Sequence, residues 1–228
     1  MTLKNKSIIL LSGGLDSIVA LAYSKKNTDY NVELALTFDY GQKTALSEIE
    51  ASTKIANYYN IRHKIIKLDW LKDITNTALV SNDTAPNANF GSIDSAKSVW
   101  VPNRNALFLN IAASFCDSFG YNFILFGANK DEAKNFPDNT ENFRAQISKL
   151  FEYSTQVKPR VVAPLINYSK GDIVRIAVEN RVPLEYVRSC YNSAEGHCGQ
   201  CESCYHLKKA LLENNCNEYV KLLFNDEK

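Results

Sequence analysis

Apolar and polar positions alternate along the chain with two different periods. Ser7–Leu11 is a short apolar run ended by Ser-Gly-Gly, which predicts a buried strand. Asp16–Lys26 then places Ile18, Val19 and Ala22 at helical spacing. Val32–Phe38 predicts a second strand, closed by Asp39-Tyr40-Gly41. Thr44–Tyr59 puts Leu46, Ile49, Thr53 and Ala56 on one helical face, and His63–Leu68 alternates as a third strand. Asn105–Phe119 reads as a largely apolar helix and Asn122–Gly127 as a fourth strand. Strands alternating with helices predict an α/β fold, a parallel twisted sheet with helices on both faces.

The pattern is looser further on. Glu141–Gln156 is amphipathic through Phe143, Ile147, Leu150 and Phe151. Ser169-Lys170-Gly171-Asp172 predicts a helix start with Ser169 as its cap, followed by Ile173, Ile176 and Ala177 on one face. Between Leu79 and Trp100 lies a polar stretch rich in Asn, Pro and Gly. A loop of that length inside a compact domain suggests a mobile lid over a site. There is no internal repeat and no low-complexity tract.

Composition narrows the classes. With 26 basic and 25 acidic side chains the net charge is +1, which gives no support to a nucleic-acid-binding module. The early apolar run is too short to span a bilayer and lacks the features of a signal peptide, so no membrane partner and a cytoplasmic location are expected. In that compartment six cysteines point to metal binding or reactivity rather than disulfides.

Two motifs carry chemistry. Ser12-Gly13-Gly14-Leu15-Asp16-Ser17 joins the first strand to the first helix. Its glycines permit close backbone approach, the helix start offers free N–H groups, and two hydroxyls flank the turn. Together these make an anion cradle at the carboxyl end of a strand. A Walker A loop would carry a lysine; here Asp16 stands in the turn, either as a Mg²⁺ holder or as a first-turn acid favoured by the helix dipole. The second motif is Cys190, Cys198, Cys201 and Cys204, spaced C-x7-C-x2-C-x2-C. Four thiolates in one loop can close a tetrahedral Zn²⁺ site, one ion per chain, with no open position and hence a structural role. Three cysteines holding an iron–sulfur cluster, or one acting as a persulfide carrier, are the rivals. Cys116 reads as a core residue; Cys216 has no evident partner. The motifs divide the chain into a nucleotide-binding region, residues 1–165, and a helical, zinc-binding region, residues 166–228.

The S-G-G-x-D-S turn resembles the pyrophosphate loop of ATP pyrophosphatases, the PP-loop enzymes. Taken with the cysteine spacing, Phe38-Asp39-Tyr40-Gly41-Gln42, Val101-Pro102-Asn103-Arg104-Asn105, Gly127-Ala128-Asn129 and Ser189-Cys190-Tyr191, it makes the chain resemble the 7-cyano-7-deazaguanine synthase family nearly end to end. That resemblance implies an adenine nucleotide alpha hydrolase-like fold and a homodimer. The implied activity is ATP-dependent conversion of 7-carboxy-7-deazaguanine and ammonia to a nitrile, through adenylate and amide intermediates. It also implies an ATP site framed by Leu11, Ser12, Gly13, Gly14, Leu15, Asp16, Ser17, Ile18, Val19, Ala20 and Leu21. Asp16 and Arg104 would be the catalytic side chains, with Arg104 on the α-phosphate or the substrate carboxylate. Tyr40 and Gln42 would lie near the ligand. The family's Tyr-Pro-Asp-Cys-Arg segment is Phe136-Pro137-Asp138-Asn139-Thr140 here, which leaves Asp138 or Glu132 to meet the guanine-like edge. An amide-forming ligase, a tRNA-thiolating enzyme and a nucleotide-binding regulator are the alternatives.

Overall fold

The computed structural model describes residues 5–26, 29–81, 90, 92–192 and 196–224. Five parallel strands, β1 (Lys6–Leu10), β2 (Asn31–Asp39), β3 (Arg62–Lys67), β4 (Phe123–Leu125) and β5 (Arg160–Val162), form one sheet in the order β3-β2-β1-β4-β5. Helices α1 (Leu15–Lys26), α2 (Ala45–Tyr58), α3 (Trp70–Asp73), α4 (Ile93–Ser98), α5 (Arg104–Phe119), α6 (Glu141–Ser154), α7 (Lys170–Glu179), α8 (Glu202–Glu213) and α9 (Asn217–Phe224) complete it.

Strand side chains alternate between two cores because successive residues point to opposite faces. Ile9, Ala35 and Leu125 pack under α1, α2 and α7, whereas Ile8, Leu34, Leu36 and Ile124 pack under α5 and α6. The expected double-sided α/β sheet is therefore present. The elements that the pattern predicted lie within two residues of their expected spans, the fourth strand shortened to Phe123–Leu125, whereas β5, α3 and α4 had no expected counterpart. The first of these cores continues through Cys190, Cys201 and Cys204 into Leu211, Val220 and Phe224. The helical region beyond residue 165 thus shares apolar packing with α1.

Two local features aim the site. Order reverses between β1 and β4, and such a switch point opens a crevice at the carboxyl ends of the strands. Gly127, just past β4, lies so close to α1 that a Cβ there would sit 2.7 Å from the Ser17 nitrogen. Helix α7 starts with a full capping box: Ser169 Oγ accepts from Asp172 N at 3.2 Å, and Asp172 Oδ2 accepts from Ser169 N at 3.1 Å.

Of the stretch expected to form a lid, residues 82–89 and 91 lie outside the described residues. Its described flanks are packed: Leu79 and Val99 are buried, Ser95 Oγ donates to Glu202 Oε2 at 2.5 Å, and the Phe90 ring lies 5.5 Å from that of Tyr205.

Candidate active site at the carboxyl edge of the sheet

A cleft of about 270 Å³ opens over β1, β2 and β4. Leu11, Ser12, Gly14, Leu15, Asp16 and Ser17 line it from the first turn. Gly13 sits behind them at φ +79°, and a Cβ there would meet Ala51 Cβ at 2.9 Å and the Glu48 carbonyl at 3.0 Å. Ser17 Oγ accepts from Ser12 N at 3.2 Å and donates to Gly14 O at 3.0 Å, so the turn is held closed by its own hydroxyl. Ile18, Val19, Ala20 and Leu21 do not line the cleft; they are fully buried in the core beneath the helix.

The cation that the turn lacks comes from α7. Lys170 Nζ donates to Asp16 Oδ2 at 2.6 Å and to Glu132 Oε1 at 3.1 Å. Burial opposes the ammonium charge, yet the two carboxylates hold its pKa well above the usual lysine range. The same partners split the two acids. Burial pushes the Asp16 carboxyl up against the pull of Lys170. At Glu132 burial acts in the same sense, but the Lys170 charge and hydrogen bond outweigh it and hold the group below the usual range. Asp16 Oδ1 is buried and without a hydrogen-bond partner. Such an orphaned oxygen beside an anion cradle fits a Mg²⁺ ligand. Asn129 prepares this corner: its Oδ1 accepts from the backbone N–H of Asp131 and of Glu132, each at 3.0 Å.

The opposite wall is built by β2 and α5. Arg104 opens α5 and its Nη1 donates to the Tyr40 hydroxyl at 3.1 Å. Burial works against the guanidinium charge, but Tyr40, Asp138 and Glu48 keep it firmly protonated. One turn along, Phe108 stacks on Phe38 with centroids 4.0 Å apart, giving the cleft a flat aromatic side. Gln42 also lines the cleft, but its amide is engaged: Oε1 accepts from Tyr40 N at 2.9 Å, and Nε2 donates to Phe38 O at 3.0 Å and Glu48 Oε2 at 2.9 Å. Of the two acids considered for the substrate edge, Glu132 is engaged by Lys170, and Asn139, not Asp138, reaches the cleft lining.

The four cysteines converge. The Sγ atoms of Cys190, Cys198, Cys201 and Cys204 all lie within 4.8 Å of one another, and Cys198 and Cys204 are 3.9 Å apart. In a tetrahedral thiolate site sulfurs stand about 3.8 Å apart around one ion, so the donor set fits a single metal. Backbone N–H groups of Asn192, Cys198, Gln200, Cys201 and Tyr191 point at three of the sulfurs, at 3.3–3.5 Å. This is the hydrogen bonding that thiolates need. His197 does not join the ligands: its Nε2 accepts from Ser189 N at 3.1 Å, and burial pushes the ring down to about 4. Cys116 is a core residue whose thiol burial pushes up to about 12.

Arg188 links the cysteine loop to the glycine turn. Its backbone N–H donates to Gly13 O at 2.8 Å, its Nε to Ser47 Oγ at 3.1 Å and its Nη2 to Asn192 O at 2.8 Å. Lys170, Glu48 and Arg188 are cleft residues that the motifs did not single out. For Lys170 one signal was present: a lysine at the first position of a helix opposes the helix dipole, which implies another task.

A glycine turn after the first strand of a 3-2-1-4-5 parallel sheet, with a half-buried cation aimed at it, defines a nucleotide-binding α/β protein of the PP-loop class. The fold agrees: the U34-tRNA thiolase NcsA from Methanococcus maripaludis, solved with its 4Fe–4S cluster, superposes with a TM-score of 0.52 over 96% of this chain and 70% of that one, at 18% identity. Likeness at that identity shows the fold alone. The family described as "Queuosine biosynthesis protein QueC" matches residues 6–215, and the chain belongs to it. A 7-cyano-7-deazaguanine synthase from Methanosarcina barkeri is 46% identical over 90% of this chain and 93% of its own length. The one from Bdellovibrio bacteriovorus is 42% identical over 98% and 99%.

Proposed function

We propose that this protein is a carbon–nitrogen ligase that uses ATP to convert 7-carboxy-7-deazaguanine and ammonia to 7-cyano-7-deazaguanine, releasing AMP and pyrophosphate. Family membership carries the substrate and product, and neither the amide-forming ligase nor the tRNA-thiolating alternative is favoured. The observation that supports the chemistry is the Lys170–Asp16 pair at the mouth of the phosphate turn.

A carboxylate is a poor electrophile until its oxygen is made a good leaving group. The turn Ser12–Ser17 would bind the departing diphosphate through backbone N–H groups, and Lys170 would neutralise it from α7. Asp16 would hold Mg²⁺ through its orphaned Oδ1, and that ion would supply further charge neutralisation on the phosphates. Arg104, held by Tyr40, would orient the substrate carboxylate or the α-phosphate through its planar fork. The Phe38–Phe108 stack offers a flat face for a planar bicyclic ring. Cys190, Cys198, Cys201 and Cys204 would hold one Zn²⁺, which with four protein ligands stabilises the fold and takes no part in the reaction.

Among the described residues no helix is long and apolar enough to cross a membrane. A cytoplasmic location and a homodimer belong to the same proposal; sedimentation equilibrium at twice the mass of one chain tests the latter. The central experiment supplies ATP, Mg²⁺, ammonium and 7-carboxy-7-deazaguanine and identifies products by mass. Nitrile together with AMP and pyrophosphate is expected. ADP with orthophosphate, or an amide that accumulates as end product, overturns the proposal.

A further inference from the structure

Adding ammonia to an activated carboxyl, and then stripping the amide to a nitrile, both require that protons leave nitrogen. At neutral pH ammonia is also stored as ammonium, which has no lone pair to attack with. The cleft therefore needs a proton acceptor that is not committed to a cation. Asp16 and Glu132 are committed, both to Lys170. Glu48 is the acid of the cleft that is not.

Glu48 stands in the first turn of α2 and lines the cleft. Neutral donors fix both of its oxygens: Gln42 Nε2 to Oε2 at 2.9 Å and Thr44 Oγ1 to Oε1 at 2.5 Å. Among the described residues it has no ion-pair partner within 4.0 Å. Its backbone carbonyl packs against Gly13, so the carboxylate is rooted beside the phosphate turn. The charged groups facing it are Arg104 from α5 and Arg188 from the segment before the cysteine loop. Burial outweighs these two cations and the two hydrogen bonds, and raises the carboxyl above its ordinary range. Two kinds of carboxyl in one cleft, one set neutralised by lysine and one held by neutral donors, is an arrangement that separates phosphate handling from proton transfer.

We propose that Glu48 binds the ammonium ion and takes its proton in the first half-reaction, and accepts the N–H protons of the adenylated amide in the second. The proposal rests on the ligase function inferred above. In the first half-reaction ammonium gives one proton to Glu48, and the freed ammonia attacks the acyl carbon. The C–N bond forms, the strongly acidic surplus N–H proton goes to water, the C–O bond to AMP breaks with its electron pair leaving on AMP, and Glu48 gives up its proton to water before the second half-reaction. In the second, the adenylated amide sheds two N–H protons in turn. The N–H pair of the second closes the third C–N bond as the C–O bond to AMP breaks.

Partial reactions test this. Substrate-dependent exchange of pyrophosphate into ATP, without ammonium, reports adenylation. Wild-type protein must show it; if it does not, the ligase function fails before Glu48 is at issue. Glu48→Gln is expected to keep exchange within about ten-fold of wild type while ammonium-dependent amide formation falls about a hundred-fold or more. Hydroxylamine, already uncharged at neutral pH, should be converted to the hydroxamate by the variant within about ten-fold of the wild-type rate. Glu48→Asp, which keeps a carboxylate, should recover part of the ammonium reaction. It also serves should the glutamine variant fail to fold. Equal loss with ammonium and with hydroxylamine, or loss of exchange along with them, overturns the assignment.

Discussion

Lys170 Nζ stands 2.6 Å from Asp16 Oδ2, across 154 residues of sequence. The Ser12–Ser17 turn carries no lysine of its own, and helix α7 returns one to it from the far end of the fold. Replacing Lys170 by Met should lower kcat/KM for ATP by about 10²- to 10³-fold, the usual effect of losing one preorganised charge contact. It should also leave Asp16 and Glu132 side by side without their cation. With Lys170 18% and Asp16 16% exposed, the stability loss should be about 2–3 kcal/mol, less than for a fully buried pair. Adding Asp16→Asn should restore much of the stability and none of the activity. Urea unfolding and steady-state kinetics on the single and double variants read the two effects separately.

Gly127 is the second point at which the turn is set. A Cβ at that position would lie 2.7 Å from the Ser17 nitrogen and 2.8 Å from the Asp16 carbonyl carbon, both backbone atoms that cannot rotate away. Gly127→Ala should therefore push α1 off β4, costing about 1–3 kcal/mol as overpacking does. ATP affinity should weaken at least ten-fold, because the displaced segment is the phosphate turn itself. Calorimetric titration with a non-hydrolysable ATP analogue measures the second effect. An unchanged affinity would show that the turn does not hold the phosphates.

Local signals were legible in the sequence and long-range ones were not. Ser12–Ser17 announces itself because glycine, serine and an acid must occur within six residues between a strand and a helix, and the cysteine spacing is likewise confined to one loop. The β5 strand is three residues long, Arg160–Val162, too short to show a period. Glu48 reads as one more polar position on an amphipathic helix, and only the packing of α2 against Gly13 turns it into the cleft. Lys170 and Arg188 act on residues far away in the chain, so no window of sequence holds both partners.

The cap of α7 makes a pH-dependent prediction. Hydrogen bonds from the Ser169 hydroxyl and from Arg175, with the Ser169 N–H, hold the Asp172 carboxyl down to about 2. Because the folded value lies below the unfolded value of about 3.9, the contribution is in place above pH 4. It is lost as pH falls towards 2, where both states bind the proton. Asp172 is 39% exposed, so the contribution is modest. Ser169→Ala should cost about 1 kcal/mol at pH 7 and lower Tm by about 2–4 °C. Asp172→Asn should remove the part of the acid-side slope that belongs to this group. Thermal melts between pH 3 and 7 on the three proteins make the comparison.

The four-cysteine cluster should matter to ATP binding although none of its sulfurs belongs to the Ser12–Ser17 turn. Arg188, two residues before Cys190, donates its backbone N–H to Gly13 O at 2.8 Å and its Nε to Ser47 Oγ at 3.1 Å. Its Nη2 reaches Asn192 O at 2.8 Å inside the cysteine loop. The loop therefore braces the phosphate turn and the start of α2 together. Metal analysis should find about one zinc per chain and no iron. Chelation, or Cys204→Ser, should release the metal, lower Tm, and raise the KM for ATP more than it lowers kcat, since the turn loses its brace but keeps its reacting groups. Mass spectrometry under native conditions gives the metal content, and kinetics below the new Tm give the KM and kcat. A metal-free protein with an unaltered KM for ATP would mean that Arg188 keeps its place without the cluster, and the coupling between the two sites would be gone.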